Sequence, residues 1–223
     1  MSASVDPVWE QKYATGHAQR YPWDCVVSFV FRNAPPGVPR DQIRVLELGF
    51  GAGSNLWFAA REGFSVCGID GSPSAVAAAQ SRLAEDGLCG DLHLSSFPTV
   101  PEPDDSCDLV IDRASLTCVA FDVCRETIRE VHRVLKPGGR FFMNVYGDDH
   151  SSAQAGEKSA DGRVENITGG TLTGVGGICF YGQDDLRAVL GEGWRVVSRT
   201  HVEVCDADND THSEWRVVVE KQA

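Results

Sequence analysis

The stretch Val45-Leu-Glu-Leu-Gly-Phe-Gly-Ala-Gly-Ser-Asn55 decides the fold. Its apolar run ends at Leu48 and reads as a buried strand. Three alternating glycines follow, Gly49, Gly51 and Gly53, and a helical pattern starts at Ser54. Such a turn lets backbone approach a ligand closely, because glycine tolerates positive φ and carries no Cβ, while the N–H groups of the next helix face the crevice. If Gly49 is taken as the first glycine of the dinucleotide fingerprint G-x-G-x-x-G, the third falls on Ser54. The spacing that does hold is E-x-G-x-G-x-G, starting at Glu47.

Outward from this turn, short apolar runs alternate with helical stretches. Gly63 stops the helix from about Ser54 to Glu62, and Ser65 to Asp70 reads as a second strand. Asp70 ends it roughly twenty residues past the glycine turn, where a carboxylate can accept from a ribose diol. Ser72-Pro73 supplies the cap of the next helix, Pro73 to Asp86, which leaves Asp70 free to bind. Leu92 to Ser96 gives a third strand. After the proline- and acid-rich loop 98–106, Cys107-Asp-Leu-Val-Ile-Asp112 gives a fourth, its final Asp112 aimed at the same crevice. A helix from about Asp122 to Leu135 then leads into Arg133-Val-Leu-Lys-Pro-Gly-Gly139 and the apolar run Arg140 to Val145. Tyr181 to Gly191 is one more helix, and Trp194 to Val204 and Ser213 to Glu220 form a terminal hairpin.

Taken in order, the E-x-G-x-G-x-G turn, Asp70, the Asp112 strand with its Asp-Arg-Ala-Ser-Leu tail, and Arg-Val-Leu-Lys-Pro-Gly-Gly resemble the class I S-adenosylmethionine-dependent methyltransferases over Ile43 to Tyr146. The resemblance implies an α/β, Rossmann-like doubly wound sheet of seven strands, mostly parallel with a C-terminal antiparallel hairpin strand, in one domain spanning 1–223. It implies S-adenosylmethionine as cofactor and S-adenosylhomocysteine as product. Glu47, Gly49, Gly51 and Gly53 would pack against the methionine and ribose, Asp70 and Gly71 would hold the ribose, and Ser95, Ser96 and Phe97 would flank adenine in place of the family's usual Asp. Asp112 would sit near the methionine amine or the acceptor. Residues 1–40 would form a helical cap, with Tyr13, Tyr21 and Trp23 as candidates to close the cofactor pocket. The implied reaction is methylation of an oxygen or nitrogen of a small-molecule acceptor. The alternatives are a thiol or chalcogen methyltransferase, suggested by the Asp112 to Leu116 tail, and, in another class, an NAD(P)-dependent oxidoreductase or a catalytically silent cofactor-binding module.

Composition narrows the partners. A net charge of −12 with no basic stripe argues against nucleic acid. No apolar run reaches membrane-spanning length, and the first residues lack a signal-peptide pattern, so a cytoplasmic protein, monomer or homodimer, is expected. None of the eight cysteines forms a C-x-x-C pair, and most lie in apolar runs, which predicts buried free thiols without disulfides or structural metal. Residues 147–182, rich in Gly, Ser, Asp and Thr, are too long for an ordinary connection and read as a substrate lid. Asp148-Asp149-His150 opens this segment. Of the loop histidines His17, His150 and His212, His150 is the candidate general base. Asp206, Asp208 and Asp210 imitate the start of an EF-hand loop but lack its glycine and terminal glutamate, and read as a solvated turn. Asn166-Ile-Thr168 and Asn209-Asp-Thr211 match the glycosylation pattern, which carries little meaning in a cytoplasmic chain.

Overall fold

Strand β1, Arg44–Leu48, is buried on both faces, and everything else is layered around it. The computed structural model describes residues 6–207 and 210–222. β1 pairs in parallel with β2 (Ser65–Asp70) on one side and β4 (Cys107–Arg113) on the other. β3 (Asp91–Leu94) extends the sheet beyond β2, and β5 (Leu135–Tyr146) beyond β4, both in parallel. The chain ends with β8 (Trp194–Cys205) and β9 (Thr211–Lys221). β9 inserts antiparallel between β5 and β8, giving the order β3-β2-β1-β4-β5-β9-β8. Strand order reverses between β1 and β4, which opens a crevice at their carboxyl ends.

Alternation along the strands sends side chains to two cores. Val45, Leu109, Ile111 and Phe142 pack under α2 (Asp24–Asn33), α3 (Ser54–Arg61) and α4 (Pro73–Glu85). Leu46, Leu48, Val110 and Phe141 pack under α5 (Phe121–Val134) and α6 (Gln183–Leu190). Helix α5 buries Cys124, Ile128, Val131 and Val134, a three-to-four-residue repeat. Each large aliphatic side chain there contributes about 1.5–3 kcal/mol. Cys25, Cys67, Cys107, Cys124 and Cys179 are buried thiols in these cores.

The residues before β1 divide in two. Phe29 of α2 stacks on Phe142 of the sheet at 5.3 Å, whereas α1 (Pro7–Ala14) packs on α4 near the crevice. There the Glu10 carboxylate accepts from Ser74 Oγ at 2.6 Å and Ser74 N at 3.2 Å, and from Ser72 Oγ, which draws its pKa down. Segment 147–182 builds a core of its own from Ala153, Val164, Ile167, Leu172, Ile178 and Phe180, with a small hairpin of β6 (Glu157–Lys158) and β7 (Val164–Glu165). Its apolar residues are few but converge, so the polar composition hid a folded unit. His212, read as part of a turn, is the second residue of β9. In that connection Asp210 N donates to Asp206 Oδ1, while Asp208 and Asn209 lie outside the described residues.

Candidate active site

Two adjoining cavities, of about 360 and about 470 Å³, occupy the crevice, a size suited to small ligands. Trp9, Tyr13, Gly49, Arg113, Ala114 and Cys118 border both. Helix α1 and segment 147–182 supply outer walls through Trp9 and Tyr13 on one side and Asp161, Arg163 and Leu172 on the other.

The first cavity lies over the ends of β2 and β3. Asp70 closes β2, and its two oxygens are fixed by separate backbone donors, Ser72 N at 2.9 Å and Gly51 N at 2.8 Å. The carboxylate is thereby pinned across the glycine turn with lone pairs left for a ligand. Burial raises its pKa against these donors. Gly71, Ser95, Ser96 and Phe97 line the same space. Ser72 caps α4 as the Ser-Pro pair implied, its Oγ accepting from Ala75 N at 3.0 Å.

The second cavity lies over the end of β1. Glu47 is 2 % exposed; its Oε1 accepts from Asn55 Nδ2 at 2.6 Å, and its Oε2 has no partner. Burial pushes the carboxyl up to about 8. Asn55 also accepts from Trp23 N at 3.0 Å, which ties the start of α2 to the glycine turn. Gly51 has φ +55°, and a Cβ there would strike the Tyr13 ring, so the absence of a side chain lets α1 close over the turn. Arg113 ends β4 with its guanidinium 3.9 Å from the Trp23 ring centre, Nη2 3.6 Å from Glu214 Oε2, and Nε unpartnered.

Of the residues expected at the site, Tyr13, Glu47, Gly49, Gly51, Asp70, Gly71, Ser95, Ser96 and Phe97 stand on these walls. Four do not. Tyr21 is 66 % exposed, with Arg20 over its ring, because the chain has already turned outward beyond α1. Gly53 serves helix packing: a Cβ there would lie 2.7 Å from Ala79 Cβ on α4. Asp112 is fully buried beneath the loop that follows it, one oxygen accepting from Ser115 N at 2.9 Å, Leu116 N at 3.0 Å and Ser115 Oγ. Burial raises it to about 6, and its neighbour Arg113 faces the cavities instead. His150 is 1 % exposed, its Nδ1 accepting from Ser152 N at 3.0 Å, and it stands behind His212. Sequence reasoning passed over Trp9, Asn55, Arg113, Tyr146 and Thr171 as wall residues, and ranked His212 behind His150. Asn55 alone carried a local signal, as the polar second residue of the helix after a glycine turn.

Residues 45–139 match the family model described as a methyltransferase domain. An uncharacterized protein of Haemophilus influenzae is 30% identical over 115 residues, 49% of this chain and 46% of that protein. The uncharacterized methyltransferase YcgJ of Bacillus subtilis is 32% identical over 105 residues, 47% of this chain and 41% of that protein. The chain thus aligns with less than half the length of the curated relatives it matches. Among solved structures, a SAM-dependent methyltransferase from Methanosarcina mazei superposes with a TM-score of 0.72 at 18% identity, covering 91% of this chain and 99% of that one. Strand order and crevice agree with these matches: residues 45–139 are similar to a methyltransferase domain, and the fold is that seen in S-adenosylmethionine-dependent methyltransferases.

Proposed function

We propose that the protein transfers the methyl group of S-adenosylmethionine to an oxygen or nitrogen of a small-molecule acceptor. The observation that carries this reading is Glu47: a carboxyl at 2 % exposure with one oxygen lacking any partner, on the wall of the second cavity, is open to a cationic donor that would draw off the proton burial keeps on it. An amino-acid ammonium is such a donor. A dinucleotide would bring its pyrophosphate to this turn, against Glu47 and Asp70, where two carboxyls disfavour a second anion. Asp70 would hold the ribose diol, Ser95 to Phe97 would flank the adenine, and Gly49 and Gly51 would admit the methionine chain. The sulfonium supplies an electrophilic methyl, so the protein's task is to align an acceptor with it and take up any proton released. The acceptor would occupy the part of the second cavity walled by Trp23, Tyr146, Leu172 and Ile178, with segment 147–182 as its lid and α1, rather than the whole of residues 1–40, as the cap over the cofactor.

Calorimetric titration with S-adenosylhomocysteine, with NADH in parallel, tests the reading. Micromolar binding of the first alone, lost in Asp70→Ala, is expected, after which an acceptor screen follows. Binding of NADH alone would overturn it.

A further inference from the structure

At the wall of the second cavity opposite Glu47, two imidazoles and a hydroxyl meet. His212 lines the cavity at the start of β9, its Nε2 3.6 Å from Glu214 Oε2. Its Nδ1 lies 3.3 Å from His150 Nε2 and 3.3 Å from Thr171 Oγ1, and Thr171 Oγ1 lies 3.2 Å from His150 Nε2. Tautomers follow from the contacts. Ser152 N–H donates to His150 Nδ1, so neutral His150 carries its proton on Nε2 and presents a donor. Burial and the neighbouring His212 hold His150 down to about 4, which keeps it neutral at physiological pH. His212 then turns its N–H towards Glu214 and a lone pair on Nδ1 towards Thr171.

We infer that His212 is the general base of the site, and that the acceptor it serves is a hydroxyl on a flat apolar molecule, phenolic in character. Thr171 Oγ1 shows that a hydroxyl oxygen fits between the two rings, donating to His212 Nδ1 and accepting from His150. An acceptor hydroxyl that takes that place, with the Thr171 side chain turned out of it, meets Trp23, Tyr146, Leu172, Val175 and Ile178 as apolar or aromatic walls. The inference rests on the methyl-transfer reading. In that reaction the O–CH₃ bond forms as the S–CH₃ bond breaks, the electron pair of the broken bond stays on sulfur, and the hydroxyl proton passes to His212 Nδ1.

A buried carboxylate faces the Nε2 side of the His212 ring. Glu214 is 2 % exposed and held ionised, its pKa drawn down to about 2 against burial by His212, Arg113 and Arg216. Arg216 Nε donates to Glu214 Oε1 at 2.6 Å. Arg113 from the β4 side opposes the imidazolium but attracts a developing oxyanion, and Tyr146 of β5 sets its ring edge-on to His212 at 5.7 Å. From the insertion side His150 is neutral and Thr171 uncharged, so no second cation faces His212 there. Glu214 and His150 are positioning residues, each acting through His212.

The test uses para-nitrophenol, whose anion alone absorbs in the visible, titrated in pH with the full chain in the presence of S-adenosylhomocysteine. The wild-type protein is expected to lower the probe's pKa by about 1–3 units, as an opposite charge within a few ångströms does, and His212→Gln to return it to the free value with S-adenosylhomocysteine affinity unchanged. Nitrogen NMR of wild-type imidazoles needs no variant and is expected to show His212 Nδ1 protonated when the probe binds. The same probe pKa in wild type and variant, or no shift in wild type, would overturn the assignment. Failure of S-adenosylhomocysteine to bind would strike the methyl-transfer reading and leave the probe result to judge the base.

Discussion

Replacing Glu47 by glutamine is expected to stabilise the ligand-free protein while weakening its hold on cofactor. The folded chain keeps the Glu47 proton up to about pH 8, whereas the unfolded chain releases it near the ordinary value of 4.5. Between these values the unfolded state binds fewer protons, so stability falls as pH rises. The window spans about 3.5 units, and at 1.36 kcal/mol per unit the loss reaches at most about 5 kcal/mol at pH 8 and about 3 kcal/mol at pH 7. Glutamine keeps the acceptor for Asn55 Nδ2 and removes the titrating proton. Urea denaturation of wild type and Glu47→Gln from pH 5 to pH 8 measures the difference directly: the variant should gain on the wild type as pH rises, and the two should converge near pH 5. Cofactor reverses the preference, because a ligand ammonium at the unpartnered Oε2 favours the carboxylate. S-adenosylhomocysteine should therefore bind wild type more tightly at pH 8 than at pH 6, with proton release, and bind the variant weakly at both. Parallel stability curves over the whole range would refute the reasoning, since Glu47 would then be ionised in the folded protein.

Two further expectations concern the frame of the site. Gly53→Ala places a Cβ 2.7 Å from Ala79 Cβ on a backbone with φ +75°, and should cost about 2–5 kcal/mol in chemical denaturation, from the left-handed conformation and forced helix separation together. Full stability in that variant would mean that α3 and α4 part freely. Glu10→Gln weakens the charged hydrogen bonds that tie α1 to Ser72 and Ser74, and should speed dissociation of S-adenosylhomocysteine in stopped-flow measurement without changing the melting temperature much; an unchanged off-rate would show that α1 does not gate exit.

Half of the site was readable because its residues are set by local pattern. A glycine turn must follow a strand and precede a helix, and Asp70 and Ser95 to Phe97 stand at strand ends that the apolar runs delimit. Asp112 and Arg113 mark where this fails. At a strand terminus one residue's step exchanges the faces, and here the arginine, not the aspartate, faces the ligand space. Histidines show the same failure over a longer distance. His150 and His212 are 62 residues apart, and what places His212 on the wall with His150 behind it is the antiparallel return of β9 along β5, whose end at Tyr146 leads into segment 147–182. No window of sequence contains that contact. Composition alone does not show that the insertion builds a core, since six convergent apolar side chains suffice for it while glycine is the commonest residue of the segment.

The roof over the two cavities comes from opposite parts of the chain. Helix α1 is anchored on α4 through Glu10, segment 147–182 is anchored on its own core, and Gly177 N meets Asp6 Oδ2 across the seam at 3.4 Å, 171 residues apart in sequence. A bond that long is weak, and parting it disturbs neither anchor. With α1 and segment 147–182 acting as the proposed cap and lid, ligand exchange would proceed by separating two intact leaves, a local opening far below the free energy of global unfolding. Destabilising the sheet should leave the exchange rate almost untouched, whereas a single crosslink across the seam would trap whatever lies inside.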